Sequence, residues 1–465
     1  MRGAVCACLS LVITGTASAQ GGRNLGDARG GVEKDEPGSA AEQTSYTERT
    51  DRWWNLTGSL EQSGSANILS HHSATGTSYT GLQRLRNRLN LQLDLKLPKG
   101  AADGDRAWLG AVDDWQVRLA GWGYYDLAYL LNGRHSYTSE VRSSYERDAE
   151  IGEMWLRGRL GDAVDFKLGR QIVIWGRSES LRVVDVLNPL DNLEPGRVDL
   201  EDLRRPVGML RVDAYAGDWT FTPIVIPEIR FDRNPVVGSD FYPWTVAPPE
   251  RRPSDVEDPE LAAAATGIFS GWDVSFHAAW FWNDEPRFRR GPEPTVLVHD
   301  RLWLVGSAGN YTAGSWLWKY ELAYLDGLQF FNGDGGHKGR LDGMAGVEYY
   351  GITDLTVVVE GLNRHLFNYE AVLRDEPDWK REDAQEFAFR ATQNFLHETL
   401  HATALAVILG WDGGDGSIVR FDIEYDLRDA LKVGAGILLY QQGDLPPFDA
   451  WSRNDRLLFS LKWSF

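Results

Sequence analysis

Between Arg84 and Leu97 the residues that could do electrostatic work stand at every second position: Arg84, Arg86, Arg88, Asn90, Gln92, Asp94 and Lys96. The intervening positions are mostly leucine: Leu85, Leu89, Leu91, Leu93, Leu95 and Leu97. In an extended chain successive side chains point to opposite faces, so this segment has one charged face and one apolar face. The same spacing recurs at Arg118, at Arg157 and Arg159, at Arg211 and Asp213, and at Arg420, Asp422 and Glu424. Glu153, Asp165, Lys167, Lys319, Glu321 and Lys462 fit the same face by their parity. A surface carrying both signs this closely holds water and sets up a field across the space it lines. Such a field sorts solutes by charge and size. An ion-pair network that only fills a wall would use the same residues, and the spacing leaves both readings open.

Other chemistries are weaker. His397-Glu398-Thr399-Leu400-His401 has the zinc-protease spacing, but that chemistry needs a helix to bring both imidazoles to one ion, with a third ligand from elsewhere. Here the motif lies between Phe387-Phe389 and the strand-like Ala404–Leu409 run, where a short turn is expected. Ser275 and His277 share a predicted face, without the rest of a triad. No nucleophile elbow, phosphate loop or dinucleotide fingerprint stands out, so neither catalysis nor a cofactor is expected. Both cysteines, Cys6 and Cys8, fall at the extreme N-terminus, in a segment expected to be removed. Disulfides, Cys-ligated metal and cysteine catalysis are therefore not expected. The net charge of −19 becomes −20 once Arg2 is removed, which argues against a nucleic-acid partner.

The elements that must carry the charged faces are strands. The last ten residues show the pattern most clearly: Leu457, Phe459, Leu461, Trp463 and the terminal Phe465 on one side, Leu458, Ser460, Lys462 and Ser464 on the other. Val419-Phe421-Ile423-Tyr425, Trp316-Trp318-Tyr320-Leu322-Tyr324 and Val274-Phe276-Ala278-Trp280-Trp282 repeat it. No run of eighteen apolar residues follows the N-terminal segment, so no spanning helix is available. Aromatics make up 12% of the chain, with 19 Trp, which suits interfacial girdles. A closed antiparallel barrel in the outer membrane satisfies all of this, with lipid outside, water inside and every backbone group paired. The fold class is therefore all-β.

The connections alternate in length. Short links fall near Gly161-Asp162, Gly217-Asp218, Ser270-Gly271, Ala313-Gly314, Gly351-Ile352, Glu398 and Arg428-Asp429, with a medium link from Pro98 to Val112. Longer ones fall between them, the order expected of periplasmic turns and outer loops. Counting gives about 18 strands, or 16 if one weak pair such as Leu261–Ser270 and its neighbour is not real. Residues 1–19 read as a signal peptide with Ala17-Ser18-Ala19 before the cleavage point, 20–52 as a disordered periplasmic leader, and 53–465 as the barrel.

A barrel this wide holds an aqueous channel unless something enters it. The third long loop, Ile174 to Pro206, can do so. It carries Arg177, Arg182, Asp185, Asp191, Arg204 and Arg205 beside the apolar Leu181, Val183, Val184, Val186 and Leu187, which need burial. Inward folding with constriction of the lumen is the expectation, and an external flap is the alternative. The Arg230–Pro259 link, with Phe231, Phe241, Tyr242 and Trp244 among five prolines, offers a vestibule for ring-containing molecules or ordinary loop packing.

Gly169-Arg170-Gln171, Trp175-Gly176, Asn188-Pro189-Leu190-Asp191, Asp202-Leu203-Arg204-Arg205-Pro206 and Asn454-Asp455-Arg456-Leu457 carry a family likeness. The chain resembles, from roughly Trp53 to Phe465, a family of porin-like proteobacterial outer-membrane proteins described mainly as a domain of unknown function. The resemblance implies a large barrel with a channel role, sometimes tied to uptake or export of hydrophobic compounds. It carries over no ligand residues. The expected function is passive or facilitated passage of small solutes, hydrophobic or aromatic ones included, with outer-membrane lipid and lipopolysaccharide around the barrel. The alternatives are an export or lipid-traffic conduit working with a periplasmic partner, and a barrel-embedded hydrolase.

Overall fold

The computed structural model describes residues 53–96, 112–253, 258–289 and 296–465. The signal peptide, the leader and most of the Pro98–Val112 link lie outside the described residues. Eighteen antiparallel strands form one closed sheet. They are β1 (Trp54–His72), β2 (Ser78–Lys96), β3 (Val112–Asp126), β4 (Arg147–Leu160), β5 (Val164–Gln171), β6 (Val207–Ala216), β7 (Trp219–Ile226), β8 (Glu260–Phe269) and β9 (Trp272–Trp282). The circuit continues with β10 (Arg301–Ala313), β11 (Trp316–Leu328), β12 (Lys338–Ile352), β13 (Leu355–Leu366), β14 (Asp383–Phe395), β15 (Leu400–Leu409), β16 (Gly416–Arg428), β17 (Leu431–Gln441) and β18 (Arg456–Ser464). β18 closes on β1 from Ser59↔Ser464 to Asn67↔Arg456. The count is eighteen, and the 16-strand alternative falls away because β8 pairs with β7 through residues 260–267 and with β9 through residues 261–269.

Lipid outside and water inside produce the alternation. Phe421 and Ile423 are exposed outward while Arg420 is buried inside, and Trp316, Trp318, Tyr320 and Leu322 are exposed while Lys319 and Glu321 are buried. So continuous an exposed apolar band is untenable in water and suits hydrocarbon. Along β9, Trp272 and Trp282 bracket that band. Ten steps at ~3.3 Å, tilted by roughly 40°, span about 25 Å of membrane normal. Glycines seat aromatic rings on this face. A Cβ at Gly64 would fall inside the ring of Phe459 on the neighbouring strand, and one at Gly58 would strike Phe465.

The expected alternation of links holds, with shifted bounds. The first outer link is only residues 73–77, because β1 and β2 each run for 19 residues. The periplasmic turn placed at Gly351-Ile352 lies at Thr353-Asp354, since β12 continues to Ile352. The Gly-Arg-Gln segment ends β5 for a physical reason. Gly169 has φ +126°, and a Cβ there would overlap the Met154 carbonyl oxygen. Gln171 points inward, fully buried, and its amide donates to the carbonyls of Lys167, Gly169 and Met209. Gly169→Ala is expected to cost about 1–3 kcal/mol, the strain of a left-handed non-glycine residue plus the clash. Urea unfolding in detergent measures it, and an unchanged midpoint would refute the account.

Candidate functional site

Residues 172–206 leave β5, cross the lumen and return to β6. The turn is driven by apolar burial: Val173, Trp175, Leu181, Val183, Val184 and Leu187 form one core with wall residues such as Met209, Ile224, Leu302, Leu304 and Leu325. The side of the barrel interior lined by these wall residues is therefore apolar and filled by the loop.

The rest of the loop is fastened by polar contacts to distant strands. The backbone N–H groups of Arg177, Ser178 and Val184 all donate to the buried Glu321 carboxylate of β11, at 2.6, 2.7 and 3.2 Å. Ser178 Oγ donates to Glu360 of β13 at 2.5 Å, and Arg177 pairs with Asp273 of β9 at 2.8 Å. Glu179 meets Arg390 of β14 at 3.1 Å. On the far wall Arg420 of β16 donates to the Gly196 and Arg197 carbonyls and to Asp199 at 2.6 Å, and Tyr440 of β17 donates to the Pro195 carbonyl at 2.5 Å. Arg84 of β2 binds Glu194. Leucine and valine contacts supply burial, and these bonds fix where the loop lies.

The expected constriction residues are braced among themselves and against neighbours. Arg204 and Arg182 both face Asp185, at 2.9 and 3.8 Å. Arg205 reaches Glu150, and Asp191 pairs with Arg233 at 3.1 Å. Of the six, Arg177 and Arg205 reach wall strands through their side chains, at Asp273 of β9 and Glu150 of β4.

The expected luminal residues divide in two. Arg84, Arg86 and Arg420 point inward, but with side chains 8%, 9% and 3% exposed they hold the loop and face no water. Asp94, Arg118, Arg157, Arg159, Arg211, Asp213, Asp422 and Glu424 are more open, Arg159 and Glu424 reaching 41% and 44%. Arg88 sits over the Trp122 ring at 4.4 Å and donates to Asn90. Most of the open group are also paired: Arg118 with Asp94 at 2.8 Å, Arg159 with Asp165 at 2.7 Å, Lys432 with Glu424 at 2.8 Å. The wall network and the wet surface coexist.

Sequence reasoning missed Ser178, Glu194, Asp199, Glu360 and Tyr440 as anchors. Glu194 has a pH signature. Burial works against its charged form, but Arg84, Arg197 and Arg86 outweigh it and hold this carboxyl well below the usual carboxylate range. A depressed folded pKa gives stabilisation that is complete above the unfolded value, about 4.3, and lost only as pH falls through the lower folded value. Loop docking is thus expected to survive acidification to about pH 4. Glu194→Gln should loosen it at every pH above that folded value, read as faster trypsin cleavage after Arg197 at neutral pH; equal cleavage in both proteins would refute this.

Over the loop lies a second one. Residues 227–253 cross the mouth: Asp240 pairs with Arg456 of β18 at 2.7 Å, and Trp451 Nε1 donates to the Phe241 carbonyl. Phe231, Phe241 and Tyr242 are buried in this packing, so they do not line a vestibule. His397–Thr399 lie in a turn with φ of 53°, 58° and 65° at Leu396, His397 and Glu398, opposite in hand to the helix that zinc-protease chemistry requires, and His401 is already in β15. Ser275 and His277 do meet, at 2.8 Å. The serine proton goes to the Ala308 carbonyl, however, and His277 Nδ1 meets no partner among the described residues.

The fold is similar to OccAB2 and OccAB4 of Acinetobacter baumannii, each with TM-score 0.52 and 9% identity over 89% of this chain and 98% of theirs. The outer membrane protein opdK of Pseudomonas aeruginosa gives 0.50 and 12% over the same shares. At such identities the likeness is one of fold. No curated protein matches the sequence. The family model described as "Protein of unknown function (DUF1302)" matches residues 2–336, which includes every motif of the earlier resemblance except Asn454–Leu457. With more than half of the sequence inside that match, the chain belongs to the DUF1302 family, and its fold is that of an outer-membrane β-barrel.

Proposed function

We propose that the protein is an outer-membrane channel for small solutes whose luminal path runs beside the inward-folded loop. One observation carries this reading: residues 172–206 leave a charged, water-facing lining on the wall they do not cover. That lining is biased in sign. On β2–β6 the cations Arg88, Arg118, Arg157, Arg159, Lys167 and Arg211 outnumber the interleaved Asp94, Glu153, Asp165 and Asp213, whereas on β12 and β16 Glu348, Asp422, Glu424 and Asp426 outnumber their partners Lys319 and Lys432. Opposed walls of this kind produce a transverse field in a narrow space, where low-dielectric walls strengthen it. Charged and zwitterionic solutes are the class this path suits; aromatic selectivity finds no support in the mouth, whose rings are used in packing.

The arginines of the loop, Arg177, Arg182, Arg204 and Arg205, with Asp185 and Asp191, set the constriction by bracing it. Reconstitution in planar bilayers, with liposome swelling in charged, neutral and aromatic solutes, tests the reading. Absence of any conductance step and of any swelling would overturn it.

A further inference from the structure

The seam between β6 and β7 differs from its neighbours. Every residue of β5 pairs with β6, and every residue of β7 pairs with β8. Between β6 and β7 the only paired positions are Leu210↔Val225, Arg211↔Ile224, Ala214↔Phe221, Tyr215↔Thr220 and Ala216↔Trp219. Val212 faces Pro223 and Asp213 faces Thr222 outside the paired register, and no register pair forms above Leu210↔Val225. Pro223 and Pro227 bring no N–H to this edge. In hydrocarbon an unpaired backbone group costs several kcal/mol, so a wall is expected to pair wherever it can.

Side chains close the seam instead. On the lumen side Thr222 Oγ1 donates to Asp213 at 2.6 Å. At the outer end one carboxylate, Glu228, receives the Gly208 N–H at 2.7 Å and Arg170 Nε at 3.0 Å, and the same guanidinium reaches its second oxygen. Arg170 also donates to the Ile151 carbonyl of β4. The surroundings are apolar on both sides. Val207, Met209, Ile224 and Ile226 are buried inside, in one core with Val173 and Val183 of the crossing loop. Leu210, Phe221 and Val225 are exposed outside.

We infer that the β6–β7 seam is a lateral exit through which apolar, lipid-soluble molecules pass between the barrel interior and the hydrocarbon of the membrane, with Arg170–Glu228 as its latch. The proposal rests on the channel reading above and adds a second path to it. Parting this seam breaks fewer backbone bonds than parting its neighbours, since the ladder is thinned at the two prolines and its outer end is closed by side chains that can rotate away. An apolar molecule crossing at the outer end of the seam meets Ile224, Ile226 and Met209 within and Leu210 and Val225 without, and the charged Arg211 and Asp213 lie on the periplasmic side of that point.

The test is a crosslink. Leu210→Cys with Val225→Cys, in a Cys6→Ser, Cys8→Ser background, staples two register partners; Ala278→Cys with Val305→Cys staples the fully paired β9–β10 seam as a control. Entry of the apolar dye N-phenyl-1-naphthylamine is followed in intact Gram-negative cells, whose lipopolysaccharide leaflet excludes it. Ion conductance of the same purified variants is measured in bilayers. The expected result is dye entry that falls to the level of cells lacking the protein only for the oxidised β6–β7 pair, returns on reduction, and leaves conductance unchanged. Glu228→Gln, which keeps the chain shape and loses the charge, should speed dye entry roughly tenfold, the factor by which losing a charge-assisted hydrogen bond shifts an opening equilibrium. Equal entry with the seam stapled or free, or no entry beyond that of cells lacking the protein, would overturn the lateral path while leaving the conductance result to judge the channel.

Discussion

Deleting Leu181–Arg204 is expected to raise single-channel conductance several-fold and to weaken the selection of ions by charge. The deleted segment contributes Leu181, Val183, Val184 and Leu187 to the internal core, and carries Glu194 and Asp199, which hold Arg84 and Arg420. Without it an eighteen-stranded wall encloses an open aqueous lumen. The freed arginines would turn to water and add positive charge to the lining. The barrel itself should still close, because its ladder bonds do not involve the loop. It should be less stable: Met209, Ile224, Leu302 and Leu304 lose apolar cover, at about 1.5–3 kcal/mol for a side chain fully re-exposed. An unchanged conductance would show that the loop does not narrow the path.

Glu321→Ala is expected to undock the loop without removing any of it. The carboxylate takes three backbone N–H groups, those of Arg177, Ser178 and Val184, in a site closed to bulk water. Truncation leaves all three unsatisfied, each at about 1–3 kcal/mol. The sum exceeds what one segment of the loop can absorb, so residues 177–184 should leave the wall and take the Ser178–Glu360 bond with them. The readouts are a flickering, enlarged conductance and tryptic cleavage after Arg177 and Arg182. Glu321→Gln keeps an acceptor oxygen and should fall between; wild-type behaviour in the alanine protein would sink the account.

The barrel was legible because lipid and water impose opposite demands on alternate residues. β2, β11, β16 and β18 show it without ambiguity, and their assigned faces agree with the exposed Leu89, Trp318, Phe421 and Trp463. The apolar side of the interior was not read, although Leu302-Trp303-Leu304-Val305 is an unbroken apolar run. Such a run means burial on both faces, here lipid for Trp303 and Val305 and the crossing loop for Leu302 and Leu304. The inward course of the loop could be argued from its greasy residues. Its anchors could not, because Glu321 and the Val184 N–H it receives are 137 residues apart in sequence. Arg84 and Arg420 are buried inside the barrel. What they do there depends on Glu194 and Asp199, whose positions no local pattern encodes.

The ring of Phe459 over Gly64 and that of Phe465 over Gly58 turn the last joint of the cylinder into a keyed fastening. A slip of one residue would swing both rings from hydrocarbon into the lumen, and a slip of two would set Phe459 against Gln62 or Ala66, where no notch exists. The final strand therefore snaps home in one alignment only, and a misthreaded chain is left with an open edge that quality-control proteases can recognise.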